Sequence, residues 1–247
     1  MQTIYILWLR QVKRYFRSKS RIIGSLGQPL LFLVALGFGF GPIYQKAGGG
    51  NYLQFLTPGI IAMTVLFTAM FSGIETIWDR QFGFLKETLV APVSRLNIMF
   101  GKTLGGATVA ILQGLIVLVI SILIGFRPHL LFLPMALVFM ILIAFLFTAL
   151  GTAIASKMED MHGFQLIMNF LVMPIFFLSG ALFPLNGMPK AIGWLIKINP
   201  LTYGVDGLRS SLLSSVHLGL LGDFTILLIA VLILLSIGAY LFSKIQI

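Results

Sequence analysis

The stretch FTILLIAVLILLSIGAYLFS, residues 224–243, contains neither a charged residue nor a proline. A helix of about 20 residues spans the hydrocarbon layer of a membrane, which is roughly 30 Å thick. Of the 247 residues, 58% are hydrophobic and only 10% are charged, so such a run is not an exception in this chain. The composition therefore predicts an all-α integral membrane protein with one domain over residues 1–247.

Five further apolar runs are long enough to cross a membrane: 22–41, 53–74, 103–126, 130–155 and 164–185. The first could instead be a cleaved signal peptide, because basic residues precede it. However, its length exceeds the apolar core of about 7–15 residues in such peptides, and it lacks an Ala-x-Ala cleavage site. We therefore expect six transmembrane helices.

Basic residues predict the orientation, since they resist translocation across the membrane. Segments 1–21 and 75–102, with Lys157 and Lys244, place twelve Lys and Arg residues on one side. The other side has five, namely Lys46, Arg127, Lys190, Lys197 and Arg209. Both termini are expected to be cytoplasmic in a multi-pass protein of the plasma (inner) membrane. Anionic headgroups then explain the net charge of +10, without a nucleic-acid partner.

Residues 1–21 predict an amphipathic helix that lies along the cytoplasmic headgroups. Apolar side chains recur at helical spacing, and basic side chains occupy the other face. The apolar set is Ile4, Trp8, Val12 and Tyr15, and the basic set is Arg10, Lys13, Arg14 and Arg17.

A second charged segment, residues 78–95 (WDRQFGFLKETLVAPVSR), follows the second span. Trp78, Phe82, Leu85 and Leu89 recur at helical spacing, which predicts one helix that ends before Pro92. Ser94 is suited to cap the next helix. The polar face is mixed in sign, so it would attract anionic lipid only weakly. The pattern is compatible with a docking site for a protein partner or with another interfacial helix.

Motifs for catalysis or metal binding are weak in this sequence. Gly101-Lys102-Thr103 looks like the end of a phosphate-binding loop, but the required first glycine falls on Leu96. Lys102 is expected to extend towards the headgroups at the cytoplasmic mouth of span three. There is no cysteine, His129, His162 and His217 are isolated, and the adjacent Glu159 and Asp160 would point apart on a helix. We expect no catalytic residue, no metal site and no bound cofactor.

The spans also contain little charge, which bears on the energy source of any transport. An ionisable group at the bilayer centre costs about 2.5–3.5 kcal/mol on insertion scales. Only Glu75 and Lys102 approach a span, both at cytoplasmic ends. Energy for uphill transport would therefore come from a partner at the cytoplasmic face, and Glu75 is expected to be an interfacial carboxylate.

Three stretches together resemble the membrane subunits of ABC-2 type ATP-binding-cassette exporters, particularly the daunorubicin-resistance-like permeases. They are FLTPGIIAMTVLFTAMFSG (55–73), DRQFGFLKETLVAPVSR running into LNIMFGKTLGGA (79–107), and FFLSGALFPLNGMPKAIGWLIKINPLTYGVDGLR (176–209). The resemblance implies an N-terminal interfacial helix, six transmembrane helices and a half-transporter that pairs with a second copy. It also implies two separate ATPase subunits, which carry the ATP and Mg.

In that family the segment after span two is the coupling helix, which the ATPase receives. By position, the contact residues would be Asp79, Arg80, Gln81, Phe82, Gly83, Phe84, Leu85, Lys86 and Glu87. Family members often read Glu-Arg-Glu-x-Gly-Thr where this chain reads Asp-Arg-Gln-Phe-Gly-Phe, a difference that bears on which ATPase is recognised.

The resemblance also implies that residues 186–222 form short re-entrant or extracellular helices that close the outer end of the pathway. The motif residues there are Asn199, Pro200, Tyr203, Asp206 and Arg209. Asp206 and Arg209 are spaced i,i+3, so they would form either a local ion pair or an exposed pair worth less than ~1 kcal/mol.

Two pairs of glycines permit close helix approach, Gly37 with Gly41 and Gly101 with Gly105. Either pair could serve packing within the chain or between two copies.

Together with the resemblance, the sequence predicts a permease subunit, not an enzyme, that exports an amphiphile such as a drug, lipid or glycan-lipid. The alternatives are a secondary transporter or channel that works without ATP, and a membrane scaffold that transports nothing. No residue is predicted to bind the substrate.

Overall fold

The computed structural model describes residues 2–48, 50–185, 189–213 and 219–244, and this part of the chain is helical without strands. The helices are α1 (Gln2–Arg17), α2 (Lys19–Gly39), α3 (Gly41–Lys46), α4 (Tyr52–Phe71), α5 (Ile74–Gln81), α6 (Phe84–Val90), α7 (Arg95–Ile124), α8 (Leu133–Ser156), α9 (Met161–Phe177), α10 (Lys190–Ile198), α11 (Pro200–Leu213) and α12 (Leu220–Ser243). A 3₁₀ turn at Leu130–Phe132 precedes α8. Residues 186–188 and 214–218 of the predicted outer region, including His217, lie outside the described residues.

Within the described ranges, five segments are long and apolar enough to cross a membrane, and they coincide with five of the predicted spans. The five segments consist of α2, of α4 together with α5, of α7, of the 3₁₀ turn together with α8, and of α12. The predicted run 164–185 contains instead the 17-residue helix α9, followed by turns in which Gly180 has a φ of +74°. A span needs about 17–25 residues, so α9 is at the short end of that range. A sixth span stays a prediction.

Helix α4 forms the centre of the bundle. In the segment Tyr52–Gln81, 78% of the most apolar stretch is buried within the protein, whereas the figure for α2 and for α12 is 17%. Helices α2, α7, α8, α9 and α11 pack around α4. The apolar outer faces of α2 and α12 are consequently left for lipid or for another protein.

Glycines let the central helices approach to backbone contact. A Cβ atom added at Gly151 of α8 would lie 2.4 Å from the carbonyl oxygen of Met70, and one at Gly59 of α4 would lie 2.3 Å from that of Ala181. Real Cβ atoms do not approach oxygen so closely, so these crossings require glycine.

Helix α1 packs along α7, against Gly101 and Gly105. A Cβ at Gly101 would meet the side chain of Leu7 at 2.9 Å, so this glycine pair serves packing within the chain. The face of α1 that is buried consists of Leu7, Gln11 and Tyr15. Of the predicted apolar stripe, only Tyr15 belongs to this buried face. Ile4, Trp8 and Val12 are half-buried.

The prediction of one continuous helix after Trp78 is wrong. The segment forms two short helices, α5 and α6, separated by Phe82 and Gly83. Gly83 has a φ of +80°, a left-handed conformation that costs little only for glycine. The predicted end of the segment is confirmed, because Ser94 caps α7 by accepting a hydrogen bond from the Asn97 N–H at 3.2 Å.

Candidate functional site

The side chain of Asp79 is buried at the junction of α5, α1 and α7, where it binds two cations. Arg10 donates from Nη2 to Oδ1 at 2.6 Å and from Nη1 to Oδ2 at 3.1 Å, while the Lys102 ammonium donates to Oδ2. Asp79 and Lys102 are each only 4% exposed. Glu75 is also buried and lies one helical turn before Asp79. We call Asp79, Glu75, Arg10 and Lys102 the charge cluster below.

The charge cluster corrects the prediction that Lys102 extends to the headgroups. Burial of an unpaired ammonium is very costly, so a buried lysine requires a carboxylate partner. Asp79 supplies it across twenty-three positions of the chain. The sequence offers one signal for this pair, since an acid and a base lie at the two ends of the charged stretch between the second and third predicted spans. The periodicity of a single helix cannot reveal that Asp79 and Lys102 form a pair, because the two residues lie on different helices.

Two aromatic rings extend the contact between α1 and the α5–α6 segment. The Arg10 guanidinium lies 3.7 Å from the centre of the Phe84 ring, and that of Arg14 lies 5.3 Å from the Trp78 ring. Stacking of this kind suits the flat guanidinium. Basic residues that the sequence assigned to lipid headgroups thus hold α1 onto both short helices.

The opposite side of α5 is tied to the end of α8. Arg80 donates one hydrogen bond to the carbonyl of Ser156 and one to that of Met158, each 2.8 Å long. Gln81 donates to the carbonyl of Glu159 at 3.0 Å. Since the α5–α6 segment is bound on one side to α1 and α7 and on the other to the α8–α9 loop, any displacement of it reaches all three elements.

The remaining predicted contact residues divide into exposed and buried groups. Phe82 is 79% exposed, and Gln81, Lys86 and Glu87 are exposed as well. Val90 adds a second apolar side chain that is 77% exposed. We call Gln81, Phe82, Lys86, Glu87 and Val90 the α5–α6 surface. These are the side chains of the segment that remain accessible to a partner.

Leu85 lies on the inner side of α6 and is 2% exposed. It packs into a small core with Leu7, Met99 and Phe242, which joins α1, α6, α7 and α12. Leu85 and Asp79, both predicted to contact the ATPase, therefore hold the segment to its own chain. Gly83 and Phe84 are half-buried between the two groups.

The predicted outer motif forms the corner between α10 and α11. Asn199 accepts a hydrogen bond from the Leu201 N–H at 3.0 Å and donates to the carbonyl of Ile175 in α9 at 2.7 Å. Pro200 is the first residue of α11, where its missing N–H costs nothing. The Tyr203 hydroxyl donates to the carbonyl of Lys197. The motif thus fastens α11 to α10 and α9.

Arg209 is buried near the end of α11, so the alternative of an exposed pair with Asp206 is wrong. Its Nη2 donates to the carbonyls of Gly180 at 3.0 Å and Phe55 at 3.3 Å, and its guanidinium lies 4.0 Å from the Phe55 ring centre. Burial lowers the pKa of Arg209 to about 10, while the nearby Asp206 opposes that shift. Arg209 consequently stays charged at neutral pH and ties α11 to α4 and to the turn after α9.

A cavity of about 250 Å³ lies between α1, α2, α4, α5 and α7. Its lining consists of Gln11, Tyr15, Gly24, Ser25, Gln28, Pro29, Met63, Thr64, Phe67, Thr68, Phe71, Ser72, Glu75, Gly106, Val109 and Gln113. No residue of this cavity was predicted as a binding residue, because the lining comes from five helices and no single motif contains it.

Comparisons with known proteins agree with this architecture. Residues 2–213 match the family described as ABC-2 type transporter. A protein named as transport permease ycf38 from Cyanophora paradoxa is 30% identical over 99% of this chain and 89% of its own length. Its counterpart from Pyropia yezoensis is 32% identical over the same shares. Nodulation protein J of Rhizobium leguminosarum bv. viciae is 27% identical over 87% of this chain and 86% of its own length. The chain belongs to the ABC-2 type transporter family and is a membrane permease subunit of an ABC transporter.

Proposed function

We propose that this permease is the membrane half of an exporter in which two copies combine with two ATPase subunits to move an amphiphile out of the cytoplasm or the inner leaflet. The single observation that carries the proposal is the construction of the α5–α6 segment. Its outer face exposes Phe82, and its inner face is bound through Asp79 and Arg80 to α1, to α7 and to the end of α8 with the loop that follows it.

The segment is suited to transmit force because its anchors are strong and directional. Arg80 binds two carbonyls at once, and Asp79 binds two cations in a buried setting where charged hydrogen bonds are strengthened. An ATPase that docks on the α5–α6 surface and moves it would displace α1, α7 and the α8–α9 loop together. Both termini would then be cytoplasmic, on the same side as the ATPase.

Charge placement favours an ATP-driven mechanism over a proton-driven one. The charge cluster is compensated internally and lies at the end of α7 next to the α5–α6 segment. Proton-coupled transporters use ionisable groups that change charge along the pathway, whereas Asp79 is bound by two cations, Arg10 and Lys102.

Purification of the tagged permease from its native membranes tests the proposal. We expect an ATPase with a phosphate-binding loop to co-elute at one copy per permease, and its hydrolysis rate to depend on the permease. In vesicles with equal pH on both sides, added ATP should drive export, and an uncoupler should leave export unchanged while ATP is held constant. Elution without an ATPase, or export that an uncoupler abolishes, would instead support the secondary transporter.

A further inference from the structure

The surface of the cavity between α1, α2, α4, α5 and α7 is mostly apolar, and the hydrogen-bonding groups set into it carry almost no charge. Half of its lining side chains are neutral and polar: Gln11, Tyr15, Ser25, Gln28, Thr64, Thr68, Ser72 and Gln113. Among the lining residues that the structure describes, Glu75 alone is charged, and no Lys or Arg takes part. Phosphate and sulfate groups bind where cations are present, so this lining does not suit an anionic headgroup.

Three buried polar atoms of the lining are unsatisfied. Within the described part of the chain, Gln113 Oε1, Gln11 Oε1 and the Tyr15 hydroxyl have no hydrogen-bond partner. Gln113 is 1% exposed, and its Nε2 donates to Ser25 Oγ. Its oxygen has no partner but is itself buried, so the Gln113 side chain would turn further into the cavity to accept a hydrogen bond from a ligand. Burial raises the pKa of Tyr15, so its hydroxyl stays protonated and able to donate.

The position of the cavity indicates where a ligand would enter. Met63 and Gln113 lie near the middle of α4 and α7, while Glu75 lies at the predicted cytoplasmic end, about 18 Å of helix away. Gly24 and Gln28 are exposed one helical turn apart on α2 and form the mouth. Gly24 is the third and Gln28 the seventh residue of the predicted span 22–41, so the mouth lies in the predicted inner leaflet, just inside the headgroups. An amphiphile of the inner leaflet would meet this mouth with its headgroup first.

The size and the apolar part of the lining agree with such a ligand. Clefts for whole drug-sized molecules measure about 300–1,000 Å³, so a cavity of about 250 Å³ suits a headgroup alone. Phe67 and Phe71 stack with ring centres 6.4 Å apart and provide an apolar wall beside the polar groups. The chain of an amphiphile would stay in the lipid beyond Gly24.

We propose that this cavity binds the uncharged, hydroxyl- or amide-bearing headgroup of an amphiphile that enters from the inner leaflet between Gly24 and Gln28. The inference rests on the proposed export function and names its substrate class, a neutral glycolipid-like molecule. Gln113 is the principal binding residue, because its amide can donate and accept at the deepest polar position of the cavity.

The test uses two photoreactive probes with the same alkyl chain, one with a glucoside headgroup and one with a phosphate headgroup. The full-length permease in phosphatidylcholine nanodiscs is irradiated with each probe, and the labelled peptides are identified by mass spectrometry. The glucoside should label residues of α4 and α7 in the cavity at least tenfold more than the phosphate. Equal labelling by both, or labelling on lipid-facing surfaces alone, would overturn the inference.

Three variants separate the cavity from a general effect on the fold. Gly24→Leu should reduce glucoside labelling at least tenfold, because a Cβ at Gly24 has no atom within 4 Å and the side chain can fill the mouth. Gly27→Leu is the matched control, since Gly27 is exposed on the same helix with equal room but lies outside the lining. It should label like the wild type. If Gly24→Leu also labels like the wild type, the cavity is not the binding site.

Gln113→Leu distinguishes a ligand-binding role from a structural one. It removes a buried amide with an unsatisfied oxygen and leaves Ser25 bonded to the carbonyl of Ile22. The thermal midpoint without probe should therefore stay the same or rise, while glucoside labelling falls at least tenfold. A lower midpoint with unchanged labelling would make Gln113 purely structural. All readouts use the permease alone, so a failed ATPase co-purification refutes the export proposal without touching them.

Discussion

The Nη2 atom of Arg10 lies 2.6 Å from Oδ1 of Asp79, although the two residues are sixty-nine positions apart. This bond places the N-terminal helix against the α5–α6 segment, so in the proposed mechanism α1 would move together with that segment. The Arg10 side chain is 35% exposed, whereas that of Lys102, on the other oxygen, is 5% exposed. Asp79 and Lys102 are therefore the costly pair to break, and Arg10 is partly hydrated.

Asp79→Asn should destabilise the permease by about 3–5 kcal/mol, because it leaves a buried ammonium without its counter-ion. The double variant Asp79→Asn with Lys102→Met should be more stable than Asp79→Asn alone, since the unpaired charge is gone. Thermal melting in detergent measures the order of the three proteins. If the double variant is the least stable, the two residues contribute independently and the charge cluster is not a unit.

Phe82→Asp should lower the affinity of the permease for its ATPase by about tenfold to a hundredfold, while the permease remains at normal abundance. The reason is that Phe82 is exposed in the free permease, and burial of a phenyl ring in an interface is worth about 1.5–3 kcal/mol. Lys86→Ala is the control, because an exposed ion pair contributes only ~0–1 kcal/mol. Membrane abundance and co-purified ATPase are measured on the same samples. Undiminished binding to Phe82→Asp would remove the α5–α6 surface from the interface.

Leu85→Asp should behave differently from Phe82→Asp although the two residues are neighbours in the segment. Leu85 is buried against Leu7 and Met99, so the new carboxylate would be desolvated without a partner. We expect low abundance of the permease itself, with the remaining protein binding its ATPase normally. A fully abundant Leu85→Asp protein that loses the ATPase would show that Leu85 faces the partner.

Gly151→Ala should destabilise the bundle by about 1–3 kcal/mol, because the new methyl group would lie 2.4 Å from the Met70 carbonyl oxygen and two backbones must separate. Gly222→Ala serves as the control, since no atom lies within 4 Å of a Cβ there. The comparison of their melting temperatures checks the close crossing of α4 and α8. Equal values would mean that these helices are further apart.

The predicted orientation can be tested with single cysteines, because the chain has none. Gln45, Glu87 and Ser243 are exposed and suitable for substitution. An impermeant thiol reagent added to intact cells should label Gln45→Cys and leave the other two unlabelled until the cells are opened. Labelling of Glu87→Cys in intact cells would place the α5–α6 segment outside and refute the docking of a cytoplasmic ATPase.

The sequence predicted the long helices well because uncharged apolar runs have few structural alternatives. The predicted cap Ser94 marks the start of α7 correctly, but the predicted third span begins at Thr103, eight residues into that helix. A charged residue was treated as the end of a span, whereas Lys102 is buried inside a helix through its bond to Asp79. Tertiary pairing of this kind leaves no periodic trace in either helix.

The candidate site was predicted only in part for the same reason. The resemblance located the α5–α6 segment, but the helical stripe ran across Gly83, whose left-handed backbone rotates α6 relative to α5. Phe82 and Leu85 consequently face opposite ways, towards solvent and towards the core. The cavity around Gln113 was not predicted at all, because polar residues from five helices meet there and none is unusual on its own helix.

The long range of the bond between Arg10 and Asp79 also sets an order of assembly. The N-terminal helix is synthesised first, but its carboxylate partner is made sixty-nine residues later and the competing ammonium of Lys102 later still. Helix α1 therefore has to wait at the membrane surface, with its cations in water, until α4 and α7 have been inserted. Docking of α1 therefore follows the synthesis of α5 and α7, and a nascent chain stopped before Asp79 would leave this helix undocked.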